Sequence, residues 1–176
     1  MHSLGRPEAR WVGLRQVHGS QVVRIDAVTG IDTEADAWFT TDPQQLLACL
    51  TADCVPMLIA SDDSAMVAAI HAGWRGTRSR IAAAAVEAMG RAGVPARALR
   101  AAIGPAIGPC CFEIGHEVVR ALRDEFPGTD RAVRQSDTQP DKGFADLWAL
   151  NQRVLLEMGL VHDHIDPMRV CTVCHP

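Results

Sequence analysis

Two apolar runs separated by Ser61-Asp62-Asp63-Ser64 constrain this chain more than any other feature. Each has the length and flanking turn residues of a buried strand, so residues 50–76 read as a hairpin or as two neighbouring strands. Cys54 opens the first run and His71 closes the second. Antiparallel pairing therefore brings a thiol and an imidazole together at one end, where they can share a ligand. The Gly73-Trp74-Arg75-Gly76 turn leads into an alanine-rich segment, 77–89, with the composition of a helix and with Thr77 or Ser79 as its cap. A helix start preceded by glycine and Arg75 reads as an anion site.

The remaining elements are arranged around that stretch. Strand-like runs at 11–17 and 21–25 meet at His18-Gly19-Ser20, after a loose lead-in over 1–10. Residues 30–41 carry Asp32, Glu34 and Asp36 ahead of an apolar Ala37-Trp38-Phe39 strand, and Asp42-Pro43 turns the chain into 46–50. A further strand is expected at 99–103, followed by a Gly/Pro-dense loop, 104–111, that needs something to order it, since glycine costs backbone entropy and proline removes donors. Helical spacing marks 117–126 and 147–158, the second capped by Asp146 and ended by Gly159. Residues 127–142 read as a polar surface loop, and 168–173 as a final strand before Cys174-His175-Pro176. Irregularly alternating strands and helices, with hairpins among the strands, predict a mixed-sheet α/β or α+β domain.

At 176 residues with 48% hydrophobic content, the chain is expected to form one domain spanning 1–176. A formal net charge of −4 argues against a nucleic-acid footprint. No apolar run reaches the roughly 20 residues of a membrane span and no signal-peptide core is evident, so a cytoplasmic protein is expected. The six cysteines then read as thiols or metal ligands rather than a disulfide framework.

His18, Cys54 and His71 all fall at strand ends beside glycine or aspartate. Two imidazoles and a thiolate make an open zinc set with a fourth position for water or substrate, although buried inert cysteines and hydrogen-bonded histidines are common. The same Cys54 and His71 admit a nucleophile–base pair. Asp53 reads as a histidine-orienting group, a base or a turn residue. Arg75 reads as a phosphate ligand or a surface ion-pair partner, and Arg15 and Gln16 as weaker site candidates. Cys171 and Cys174 form a CxxC beside His175 that reads as half of a metal or redox site, but no second pair completes it, so core packing or an unfinished segment is expected, and one of Cys110 and Cys111 is expected to pack inward.

Taken together, RQVHG (15–19), LTADCVP (50–56), HAGWRG (71–76), IGPAIGPCCFEIG (103–115) and DLWALN (146–151) closely resemble the YfiH family. That family was first named as multicopper polyphenol oxidases, or laccase-domain proteins, and is now regarded as purine nucleoside phosphorylases with accompanying adenosine deaminase activity. The resemblance implies a layered α/β/β/α sandwich and a metal triad of His18, Cys54 and His71, usually holding zinc, with copper reported as well. Its implied substrates are purine nucleosides (adenosine, inosine, methylthioadenosine) and phosphate. Relative to the family the chain reads as short at both ends.

Phosphorolysis breaks an N-glycosidic bond through a cation-like sugar, so such a site must stabilise charge leaving on the purine and hold phosphate opposite. The expected catalytic set is Cys54, His71, Asp53 for proton transfer or orientation, and Arg75 for phosphate. Three other readings compete. A copper phenol oxidase shares the two-histidine, one-cysteine composition, but the seven histidines form no paired motifs for several coppers. The others are a non-catalytic metal-stabilised domain and a Cys54–His71 hydrolase.

Overall fold

A computed structural model describes residues 10–25 and 32–175. Most of the lead-in expected over 1–10, and the start of the loop expected from residue 30, lie outside them.

The central hairpin forms as β5 (Val55–Ser61) and β6 (Val67–Ala72), paired antiparallel with Val55 opposite Ala72 and Pro56 opposite His71. β7 (Leu99–Ile103) joins β5 antiparallel, and β3 (Ala37–Thr40) joins β6 antiparallel. β11 (Ile165–Pro167) and β2 (Val22–Arg24) flank them in parallel, giving a mixed sheet ordered β11-β7-β5-β6-β3-β2. Alternation sorts the side chains of β3 and β6 between two cores. Ala37, Phe39, Ala68 and Ile70 face the main core, while Trp38 and Ala69 face a smaller one with Leu14 and Ile25. A two-stranded sheet of β1 (Arg10–Val12) and β4 (Gln45–Leu47) lends Val12 and Leu47 to the smaller core.

Helices cover the other face. α1 (Trp74–Arg78) and α2 (Ile81–Arg91) follow the hairpin, and α2 lies across β6, β3 and β2. α4 (Leu147–Glu157) packs on α2 and β11. α3 (His116–Glu125) packs on a three-stranded antiparallel sheet of β8 (Glu113–Gly115), β10 (Lys142–Ala145) and β9 (Val133–Gln135). The architecture is thus the mixed-sheet α/β class expected. Among the described residues no helix is long and apolar enough to cross a membrane.

Four local expectations are corrected. The single helix over 77–89 is two, because Arg80 takes a left-handed φ of 56° and breaks the ladder between α1 and α2. Thr77 caps neither helix: it is buried within α1, and its hydroxyl accepts a hydrogen bond from Nδ2 of Asn151 at 2.9 Å. The polar loop at 127–142 contains β9 and the first residue of β10. The last strand ends at Pro167, earlier than expected, and Arg169 turns away with φ 49°, leaving Cys171 a lone bridge to Ala106.

Candidate functional site

The hairpin carries Cys54 and His71 to the same end of β5 and β6, and the turn between β1 and β2 brings His18 over them. One donor atom from each of the three lies within 4.8 Å of the others. Nε2 of His18 is 3.8 Å from Sγ of Cys54, and the two imidazoles meet edge to face with centroids 4.8 Å apart. In a tetrahedral zinc site with ordinary Zn–N and Zn–S lengths, a nitrogen and a sulfur stand about 3.6 Å apart. The donors therefore have the spacing, as well as the chemistry, to hold a metal ion.

Asp36 organises this arrangement. It is fully buried immediately before β3, and its carboxylate accepts Nδ1 of His71 at 2.8 Å. The same carboxylate takes the backbone N–H groups of Val17, His18 and Gly19 at 3.2, 2.9 and 2.7 Å. That grip holds a turn in which His18 adopts a φ of 60°, a left-handed conformation uncommon outside glycine. Burial pushes the Asp36 carboxyl up, but the hydrogen bonds from His71 and the three N–H groups outweigh it and leave it below the ordinary range. An ionised carboxylate only accepts, so Nδ1 of His71 donates to it, and Nε2 is the ring atom left to meet a ligand. The Cys54 thiol is pushed up, by burial first and then by the charges of Asp53 and Asp36, so its thiolate needs a cation beside it.

Glycine at position 73 is required by space. A Cβ there would stand 2.9 Å from Sγ of Cys54 and 3.0 Å from Cδ2 of His18.

The other expected residues are placed as follows. The Asp53 carboxylate accepts the Thr172 hydroxyl at 2.7 Å, and among the described residues no hydrogen bond joins it to His18 or His71. Orientation of His71, expected of Asp53, falls to Asp36. A lone acid between Ala35 and the apolar Ala37-Trp38-Phe39 run was the available signal, because a buried carboxylate must have partners. Arg75 lies within the five-residue α1 rather than ahead of a long helix. It is exposed, with its guanidinium 4.5 Å over the Trp74 ring. Arg15 pairs with Glu34 on the surface. Gln16 exchanges two hydrogen bonds with the backbone of Leu50, at 2.7 and 2.8 Å, which ties the His18 turn to the entry of the hairpin. The expectation that nothing completes the Cys171/Cys174 pair is also corrected: Cys110 and Cys111 stand beside it.

Two clefts meet at the triad. One, of about 470 Å³, is bordered by Gln16, Leu50 and Thr51; the other, of about 190 Å³, by Trp74, Arg75, Ile107 and Phe112. His18, Cys54 and Asp53 border both. A larger apolar cleft of about 530 Å³ lies elsewhere, between Leu46, Leu58 and His164. It includes none of the three donors, so volume alone does not mark the site.

A mixed α/β domain with a buried aspartate orienting one histidine of a His₂Cys set defines a candidate metal-centred site. The chain belongs to the multi-copper polyphenol oxidoreductase laccase family, whose model matches residues 1–176. It is 35% identical over 179 residues to a purine nucleoside phosphorylase of Xylella fastidiosa, covering 98% of this chain and 66% of the relative. It is 38% identical over 170 residues to the adenosine deaminase RL5 of an unidentified prokaryote, covering 91% of this chain and 64% of the relative. The crystal structure of YlmD from Geobacillus stearothermophilus superposes with a TM-score of 0.87 at 34% identity, over 98% of this chain and 67% of that one. The chain thus spans just under two thirds of the length of these two sequence relatives.

Proposed function

We propose that this chain is a cytoplasmic zinc-dependent purine nucleoside phosphorylase, converting adenosine, inosine or methylthioadenosine and phosphate to free base and pentose 1-phosphate, with adenosine deamination as a side activity. The observation that carries this reading is the convergence of His18, Cys54 and His71 at the junction of two clefts. The names of the related proteins supply the substrate class. A zinc ion held by the three donors would supply Lewis-acid polarisation.

The roles of the protein groups follow from position. Two clefts meeting at one wall suit a reaction in which phosphate reaches the sugar on the face opposite the departing purine. Arg75 borders the smaller cleft, so phosphate is assigned there, its charge matched by the guanidinium. The nucleoside is assigned to the larger cleft, against Leu50 and Leu14. Asp53 borders both and is the proton-transfer candidate for the departing purine. Asp36 acts through His71, as a positioning residue.

A second reading, copper-dependent phenol oxidation, is favoured by the family description and by the His₂Cys donor set. One assay series separates the readings: release of adenine or hypoxanthine with and without phosphate, by zinc-loaded, chelated and His71→Ala protein. Release that requires phosphate and zinc and disappears in the variant is expected. Release that survives the chelator would point to a Cys54–His71 hydrolase. Phenol oxidation by copper-loaded protein, without base release, would overturn the phosphorylase.

A further inference from the structure

The sulfur atoms of Cys110, Cys111, Cys171 and Cys174 all lie within 4.8 Å of one another, although Cys174 is 64 and 63 positions from Cys110 and Cys111 in the chain. Sγ of Cys174 is 3.5 Å from Cys110 and 3.3 Å from Cys111. In a tetrahedral tetrathiolate site the sulfurs stand about 3.8 Å apart, given a Zn–S length of about 2.3 Å. We propose that these four cysteines form a second metal centre, a structural tetrathiolate site for a thiophilic divalent cation such as Zn²⁺. The proposal does not depend on the nucleoside reading.

Three observations favour a cation over disulfides. Cys110 and Cys111 compete for the same Cys174 sulfur at nearly equal distance, so one disulfide leaves a close thiol unpaired. Cys171 is buried, and its sulfur accepts a hydrogen bond. The backbone N–H of Gly108 donates to its sulfur at 3.3 Å, a contact that holds the sulfur in place at the end of the loop. Four sulfurs crowd within 4.8 Å of one another at this point. Sulfurs this crowded resist ionising together, and a divalent cation relieves that repulsion. Binding displaces the remaining thiol protons to solvent, up to four per cation, and forms four metal–sulfur bonds with no change of oxidation state.

The location gives the centre its role. Cys110 and Cys111 end the Gly/Pro loop, and Cys171 and Cys174 lie on the segment after β11. Within the loop, the Gly104 carbonyl accepts Nε1–H of the Trp148 indole at 3.0 Å. Ile107 and Phe112 border the smaller cleft, and Thr172, inside the CxxC, holds Asp53. The cation clamps the two segments together and so fixes one wall of the candidate site. This is what orders a loop so rich in glycine and proline.

The test uses the full chain, purified under reducing, anaerobic conditions. With Cys54→Ala and His71→Ala in place to disable the triad, about one zinc per chain is expected to remain, as for a single site. Adding Cys171→Ser and Cys174→Ser should abolish it. Cobalt(II) in the Cys54→Ala/His71→Ala protein should give the absorption of a four-thiolate tetrahedral centre, a readout that stands even if the quadruple variant fails to fold. A folded Cys54→Ala/His71→Ala protein that binds no metal would overturn the proposal, and so would a disulfide to Cys174 found by mass in the reduced preparation. Loss of phosphorylase activity in the wild type, with two metals still bound, would count against the proposed function alone.

Discussion

Asp36 and His71 are joined twice. The Asp36 side chain accepts Nδ1 of His71 at 2.8 Å, and the Asp36 backbone carbonyl accepts the His71 backbone N–H at 2.7 Å. The ring and its peptide are thereby fixed to one residue, which also holds the His18 turn.

Replacing Asp36 separates these duties. Asp36→Asn is expected to weaken zinc binding about 10- to 100-fold, the usual cost of losing a partner behind a metal-ligating histidine. Asp36→Ala also strands the N–H groups of the His18 turn and should lower stability by about 3 kcal/mol. Competition with a chromogenic chelator measures the first effect and denaturant unfolding the second. Unchanged zinc affinity in Asp36→Asn would remove the positioning role.

Gly73→Ala tests space alone. Gly73 has φ −69°, which alanine adopts without strain, so the whole effect comes from the new methyl against Cys54 and His18. We expect a cost of about 1–3 kcal/mol in zinc binding, as for an overpacked site, with an unaltered circular dichroism spectrum. Full zinc affinity in this variant would mean that the three donors are more loosely placed than the geometry requires.

Thr77 and Asn151 form a buried hydrogen bond that fastens α1 to α4. Asn151 also donates to the Leu147 carbonyl at 2.9 Å, so its amide is committed at both hydrogens. Thr77→Val removes the acceptor while nearly keeping the shape and should lower stability by about 1–3 kcal/mol. An equilibrium urea titration yielding a shift well under that range would show that the contact is made good by rearrangement.

Glu157 gives a pH signature. It accepts Arg80 at 2.6 Å and Arg153 at 2.6 Å, and these, with Arg80 foremost, hold its carboxyl below the usual 4.5. A depressed folded value means that its stabilisation is complete above the unfolded value and is lost as pH falls through the folded one. The group is over a third exposed, so Glu157→Gln should cost only about 0.5 kcal/mol near neutral pH. The gap to the parent should close in acid; thermal unfolding at neutral pH and at about pH 3 gives the comparison, and a constant gap would argue against the ion pair.

The hairpin, β7, α3 and α4 were legible because each is an apolar run or a helical stripe long enough to show its period. β8, β9 and β10 were not: each has three or four residues with only one or two buried, too short for alternation to register. The break at Arg80 was hidden because helix propensity carries no information about a left-handed φ, and it is held by Glu125 and Glu157, which are distant in sequence. At the site, His18, Cys54 and His71 stood out by residue type and position. Asp36 was one acid among three in its segment, set apart from Asp32 and Glu34 in the sequence only by the apolar residues beside it. The four-cysteine cluster was split between two motifs whose meeting depends on the tertiary fold.

The hydrogen bond from Thr172 to Asp53 spans 119 positions, whereas His18, Cys54 and His71 fall within the first part of the chain. Contacts of such separation carry a high loop-closure cost and form late. A nascent chain has His18, Cys54 and His71 available once β6 has emerged from the ribosome, but the wall that holds Asp53 waits for residues 171–174. Synthesis thus delivers the three triad donors well before the residue that closes the cleft beside them.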